Sequence, residues 1–256
     1  MSTKMFDLQG KVAIVVGSTR GIGRGFAEAL AEFGAKVIIT GTNYEVANKV
    51  ADEIAAKYNV ETLGLELDIG ITESVVSAYN NVINHFNSLD ISVNNAGITI
   101  TKSAELVTDD EWDNIMNVNL KGLYRCCREA GKIMLKSCKG SIINTASISA
   151  HITNLPQKQA PYNISKAGVI MLTKNLASEW AAYNIRVNSI SPAYIKTEMN
   201  LREDVKKLHP EWCRMTPMGR LGEVDELKGA VVYLASDASS YTTGADIVVD
   251  GGYLLW

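Results

Sequence analysis

The chain lacks any block of basic residues. Its 256 residues carry 25 Lys and Arg against 28 Asp and Glu, a formal charge of -3 with the two signs interspersed. Neutralising nucleic-acid phosphates needs a concentrated basic face, so this composition argues against a nucleic-acid partner. Long apolar runs are missing as well, and the opening stretch Met1 to Gly10 carries Lys4 and Asp7 where a signal peptide would have its apolar core. The expectation is a soluble, cytoplasmic protein without membrane contact. Cysteine is scarce: Cys126, Cys127, Cys138 and Cys213 form no CxxC and no paired histidine spacing, which suggests neither a zinc site nor a disulfide framework. Buried or free thiols are expected. The vicinal Cys126 and Cys127 point to different helix faces, so oxidative sensing is the weaker reading. Repeats, linkers and composition breaks are absent too, and residues 1–256 read as a single domain.

What is present is regular alternation. Hydrophobic residues make up 46% and charged residues 21%, values of a globular chain. Val12 to Val16 is an unbroken apolar run, the pattern of a strand buried on both faces of a parallel sheet. Helical spacing follows over Ile22 to Phe33, then Gly34 and a second strand, Val37 to Thr40. The pattern continues with helices over Glu45 to Tyr58 and Thr72 to Phe86 and strands at Leu63 to Leu67 and Ile91 to Val93. A long helix is expected from about Asp109 to Lys136, a strand at Ser141 to Asn144, and a helix from Pro161 to Ala182. Strands at Arg186 to Ile190 and Asp246 to Val249 complete the series. Six or seven strands separated by helices predict an α/β fold, a single-domain doubly wound parallel sheet with helices on both faces. Pro192, Pro210 and Pro217 interrupt residues 191–222, which read as a flap.

Two clusters carry chemistry. Gly17-Ser18-Thr19-Arg20-Gly21-Ile22-Gly23 stands between the first strand and the first helix, where glycines let the backbone approach a pyrophosphate at a positive helix N-terminus. A dinucleotide is the natural ligand. The second strand ends at Gly41, without the acid that would grip a 2'-hydroxyl, while Arg20, Thr42 and Asn43 offer a charge and neutral donors. NADP(H) is therefore favoured over NAD. Asp68 is placed to accept from the adenine amino group, or equally is an ordinary loop aspartate. In the second cluster, Tyr162 and Lys166 lie four apart on one helix face. An ordinary tyrosine titrates near pH ~10, so acid/base work at neutrality needs roughly 4 kcal/mol of preferential phenolate stabilisation. A lysine below the ring contributes to it.

These motifs, in this order, resemble the short-chain dehydrogenase/reductase family over essentially the whole chain. Gly17 to Gly23 resembles its cofactor loop, Asn94-Asn95-Ala96-Gly97 its fourth-strand motif, Asn119 its catalytic asparagine, and Tyr162 with Lys166 its active-site pair. The resemblance implies a Rossmann fold and metal-free, reversible hydride transfer between a nicotinamide and an alcohol/carbonyl pair. It implies that Tyr162 exchanges the proton with the substrate oxygen and that Lys166 holds the nicotinamide ribose and lowers the phenol. Ser147 would hydrogen-bond the substrate oxygen, and Asn119 would hold a water that links Lys166 to solvent. Thr19, Ile22 and Ile69 would flank the cofactor, Asn95 the adenosine ribose, and Ile195 and Thr197 the nicotinamide carboxamide. It also implies a homotetramer built on the helices over 109–136 and 161–182.

Three departures stand out. The family serine usually precedes the tyrosine by thirteen residues, which would select Ser149; Ser147 lies fifteen before Tyr162 and aligns with the end of the fifth strand. The extra length fits the loop Pro156 to Gln159. Ala193 replaces the usual glycine and would be strained at a positive φ. Thr42 replaces the usual arginine beside Gly41. Residues 145–159 and 241–253 resemble the NADP-dependent mannitol/sorbose (polyol-ketose) dehydrogenases and related carbonyl reductases within the family. That resemblance implies a polyol/ketose or small carbonyl substrate. Ser149, His151, Asn154 and Gln159 are candidates for a polar substrate mouth, with Tyr194, Met199, Trp212 and Met215 as its apolar side. Equally, His151 and Gln159 belong to a solvated loop or subunit contact, and the apolar residues to a flap core. Other readings are a 3-oxoacyl-carrier-protein reductase, for which Arg125, Arg128 and Lys132 on one helix face would be a docking patch where a solvated face is the commoner explanation, a hydroxysteroid dehydrogenase, and a non-enzymatic dinucleotide-binding redox sensor.

Overall fold

All five residues of β1 (Val12–Val16) are buried in the computed structural model, which describes residues 4–198, 200–201 and 203–256. The strand's unbroken apolar run has a direct cause. Ala13 and Val15 enter one core with Phe26 and Leu30, while Ile14 and Val16 enter a second core with Val75 and Tyr79 on the other face. The chain continues through α1 (Gly21–Glu32), β2 (Lys36–Gly41), α2 (Tyr44–Tyr58), β3 (Thr62–Glu66), α3 (Thr72–Phe86) and β4 (Ile91–Asn94). Then follow α4 (Asp109–Met116), α5 (Leu123–Ser137), β5 (Gly140–Thr145), α6 (Ala160–Trp180) and β6 (Ile185–Pro192). The rest comprises α7 (Glu203–Lys206), α8 (His209–Met215), α9 (Lys228–Ala235) and β7 (Asp246–Val249).

The described strands form one seven-stranded sheet in the order β3-β2-β1-β4-β5-β6-β7, with every pair parallel. The doubly wound sheet expected from the alternation is present. Strand order reverses between β1 and β4, and the crevice beyond the carboxyl ends of these strands is where such sheets bind ligands. A buried amide chain fixes that end. Asn94 Nδ2 donates to Asn144 Oδ1 at 2.9 Å, and Asn144 Nδ2 donates to Thr173 Oγ1 at 2.9 Å, so β4, β5 and α6 are tied together. No described helix is long and apolar enough to cross a membrane.

The expected long helix over 109–136 is two α-helices joined by a π-helical turn, Asn117–Gly122. Its wider turn escapes a 3.6-residue reading. The α9 helix has no counterpart in the sequence reading; its run Ala230-Val231-Val232-Tyr233-Leu234-Ala235 is apolar nearly all round and gives no clear period, because it packs between α1 and the sheet. Within the segment 191–222 read as a flap, Ile195 bridges Gly222, and α7 and α8 lie between these paired positions. Ala193 is not among the positive-φ residues, so the strain expected there is absent. Met199, offered for the mouth, lies outside the described residues.

Candidate active site

The loop from β1 to α1 lies on the crevice. A Cβ at Gly23 would sit 2.1 Å from the Gly17 carbonyl oxygen and 2.6 Å from Asn95 Nδ2, so only glycine lets the helix start this close to the strand. Asn95 Nδ2 itself donates to the Gly17 carbonyl at 3.1 Å and holds the loop from the β4 side. The helix N-terminus is open: Arg20, its N-cap, makes no side-chain cap and the first turn has no acid. Free N–H groups and a glycine cradle fit the pyrophosphate of a dinucleotide. At the end of β2, a Cβ at Gly41 would meet Thr19 Cγ2 at 2.7 Å, so the position that usually carries an acid is here sterically tied to the loop.

Around that position Thr42 is exposed, and Asn43 caps α2 by accepting from Val46 N at 3.0 Å. The Arg20 guanidinium is exposed and 3.7 Å from the Glu198 carboxylate of the flap. Asp68 Oδ1 accepts from Gly70 N at 2.8 Å, a turn that leaves its other oxygen for a ligand. Ile69 is buried, and Ile22 packs against the first core. Ile195 is buried at the base of the flap, and the Thr197 methyl lies 3.7 Å from the Cβ position of Gly21. Flap and cofactor loop thus face one another.

The chemical cluster is set by β5 and α6. Ser147 lies two residues beyond the end of β5 and caps the short turn Ile148–Ala150; its Oγ accepts from Ser149 N at 3.1 Å. Tyr162 and Lys166 stand one turn apart on α6, with Lys166 Nζ 5.7 Å from the phenol ring centroid. Lys166 is buried and donates to the Thr145 carbonyl at 2.7 Å. Burial pushes its ammonium down to about 8. Burial also pushes the Tyr162 phenol up, and Ser147 beside it opposes that. Asn119 sits inside the π-helical turn, its Oδ1 accepting from Ile98 N and its Nδ2 donating to Ile98 O, both at 2.8 Å. It also donates to Ser165 Oγ at 3.1 Å, and Gly97 lies between it and Lys166.

A polar chain leads from this cluster to the flap. Gln159 Nε2 donates to Ser149 Oγ at 3.2 Å and to Asn154 Oδ1 at 3.0 Å, and Asn154 Nδ2 donates to the Tyr194 hydroxyl at 3.0 Å. Burial pushes the Tyr194 phenol up, so it stays protonated. Its ring stacks on Trp212 at 3.9 Å between centroids and meets the edge of Tyr253 at 5.3 Å. Ser149, Asn154, Gln159, Tyr194 and Trp212 are thus brought together. Gln157, which accepts from Trp212 and Tyr194, was missed; nothing in a short polar loop marks which amide turns inward.

Of the two readings of His151, the loop is the one favoured: its exposed Nε2 pairs with Asp246 Oδ2 at 2.8 Å, on a β7 carboxylate that also accepts from Ser189 and Ser191 of β6. The Arg125, Arg128 and Lys132 patch is dissolved. Arg125 is buried and donates to the Ile69 carbonyl and Asn117, while Arg128 and Lys132 both engage Glu129. Cys126 and Cys127 are buried free thiols, and burial pushes Cys127 up to about 12, which removes thiolate reactivity.

Comparison with known proteins agrees with this geometry. A family model described as enoyl-(acyl carrier protein) reductase matches residues 16–254. The chain is 43% identical to a sorbose reductase of Candida albicans over 97% of its length and 89% of that protein. It is 42% identical to an NADP-dependent mannitol dehydrogenase of Hypocrea jecorina, covering 97% and 94% of the two chains. A 3-oxoacyl-[acyl-carrier-protein] reductase of Aquifex aeolicus is 41% identical, over 96% and 98%. Among solved structures, a short-chain type dehydrogenase/reductase from Mycobacterium marinum superposes with a TM-score of 0.94 at 40% identity and 98% coverage of both chains. With fold, glycine loop and the Tyr162/Lys166 pair in one crevice, the chain belongs to the short-chain dehydrogenase/reductase family of oxidoreductases.

Proposed function

We propose that this protein is an NADP(H)-dependent oxidoreductase that interconverts a secondary alcohol of a polyol and the ketone of a ketose or small carbonyl compound. The observation that carries the reading is the convergence of Tyr162, Ser147 and Lys166 beside the glycine cradle. A bound nicotinamide supplies or accepts the hydride. Tyr162, kept protonated by burial, hands its proton to the substrate oxygen as negative charge develops there, and takes it back in oxidation. Ser147 donates to the same oxygen, a contact worth more in the transition state than in the ground state. With the dinucleotide bound, Lys166 would hold the nicotinamide ribose, and Asn119 in its π-helical turn would hold a water for proton resupply.

Arg20 takes the 2'-phosphate, with Thr42 beside it; the names of the mannitol dehydrogenase relatives support NADP. Gly17, Thr19, Ile22, Gly23, Asp68, Ile69, Asn95, Ile195 and Thr197 complete the cofactor site. The amide-lined mouth of Ser149, Asn154 and Gln159 suits a substrate with several hydroxyls, and the sorbose and mannitol relatives support that class. With the basic patch dissolved, an acyl-carrier partner loses its docking argument. A homotetramer is supported by the half-exposed Tyr124, Ile164 and Met171 on α5 and α6. Four free thiols suit a reducing, cytoplasmic location.

The test is NADPH oxidation against fructose, sorbose, xylulose, diketones and acetoacetyl thioesters, with Tyr162→Phe as control. Turnover of the thioesters alone would overturn the polyol reading. Equal, negligible rates in both proteins with NADPH still bound would leave the dinucleotide-binding sensor.

A further inference from the structure

The loop that lengthens the path from Ser147 to Tyr162 reaches across to the flap. Gln157 Oε1 accepts from Trp212 Nε1 at 3.2 Å and from the Tyr194 hydroxyl at 3.4 Å. The two rings are stacked 7° from parallel, so one carboxamide oxygen holds both polar tips of a single stack. Tyr194 follows β6 and Trp212 belongs to α8, so three segments distant in sequence meet at this oxygen. Trp212 is 1% exposed, and its indole N–H would be left buried and unpaired without that acceptor. The same Tyr194 hydroxyl is held by Asn154, which leads through Gln159 to Ser149, two residues past Ser147. The flap is thereby wired to the chemical cluster through amides.

We propose that Gln157 is a positioning residue that latches the flap over the substrate mouth and so governs substrate retention and product release, without touching the reacting atoms. The latch stands on this geometry; only its effect on a ketose rests on the function proposed above. Opening the flap carries Trp212 away from Gln157 and takes apart the Tyr194/Trp212 stack. Substrate affinity responds to such a contact, and the chemical step does not.

The test compares wild type with Gln157→Leu, which keeps side-chain bulk without an acceptor, and Gln157→Glu, which keeps acceptor oxygens. Two quantities are read: tryptic cleavage after the exposed Lys206 and Lys207 of the flap, and steady-state kinetics with the best ketose from the panel above. For Gln157→Leu, KM is expected to rise about tenfold with kcat unchanged or higher, and flap cleavage to accelerate about fivefold, with NADPH affinity unchanged. Gln157→Glu is expected to restore both. Should Gln157→Leu fail to fold, Gln157→Met, which also lacks the acceptor oxygen, must give the same pattern. Unchanged KM and cleavage in Gln157→Leu would overturn the latch, as would a Glu variant as impaired as the Leu variant. A fall in kcat at constant KM would overturn it too, by moving Gln157 to the chemical step. If wild type reduces no carbonyl, the functional reading fails, while the cleavage comparison still decides the latch.

Discussion

Lys166 Nζ lies 5.7 Å from the Tyr162 ring centroid and spends its hydrogen bond on the Thr145 carbonyl at 2.7 Å. The cation is near the phenol and aimed elsewhere, so burial controls the titration of both groups.

Stability follows from that burial. The Lys166 ammonium is held at about 8 in the folded chain against 10.5 when solvated. Between those values the unfolded chain binds the extra proton, so this group makes stability rise with pH. Below pH 8 the buried charge costs about 3 kcal/mol, from which its hydrogen bond returns about 1 kcal/mol. Lys166→Met is therefore expected to be about 2 kcal/mol more stable than wild type at pH 7 and level with it near pH 10, as urea unfolding at the two pH values would read.

Tyr162 is expected to be protonated at neutrality, because burial raises it. Reduction needs the acid and oxidation the phenolate, so the rate of alcohol oxidation should keep rising to a pH at least about one unit above the optimum for ketone reduction. Tyr162→Phe should lower kcat in both directions by about 100-fold to 10,000-fold and leave NADPH affinity within about threefold. Coincident pH optima for the two directions would contradict the assignment.

Arg20→Ala is expected to weaken NADPH binding about tenfold with NADH unchanged, since only the former presents a charge to that guanidinium. Its present neighbour Glu198 is an exposed ion-pair partner at 3.7 Å and contributes little to stability. Fluorescence titration with both cofactors checks this; equal losses for the two would remove Arg20 from 2'-phosphate recognition.

Gly23→Ala places a Cβ against the Gly17 carbonyl at 2.1 Å, a backbone neighbour that cannot swing aside. Cofactor affinity should fall by more than about 100-fold, with strain of about 1–3 kcal/mol in the apo protein. Titration calorimetry and thermal unfolding would show it, and retained NADPH affinity would mean the loop has another arrangement.

The scaffold was legible wherever residues are buried by their own period. The apolar run of β1, the glycines after it and the Tyr162/Lys166 spacing are local, and they located sheet, crevice and pair. What stayed hidden depends on distant partners. His151 read equally as a mouth residue or a loop residue, and the partner that decides it, Asp246, lies 95 residues downstream. Arg125 looked solvated until the Ile69 carbonyl, 56 residues upstream, is seen to hold it. Gln157 and α9 carried no local signal, since an inward-turned loop amide and a helix apolar all round are both defined by what packs on them.

The turn Asn117–Gly122 separates two properties that a regular helix would lock together. Each residue added to or removed from an ordinary α-helix rotates everything beyond it by about 100°. A wide turn absorbs one residue, so deleting one here would draw it into ordinary α-helix with the buried stripe of α5, Leu123, Cys127 and Met134, still in phase, while Asn119 would lose its place against Ile98. The amide is thus held by a residue that the fifteen-residue helix after it does not need.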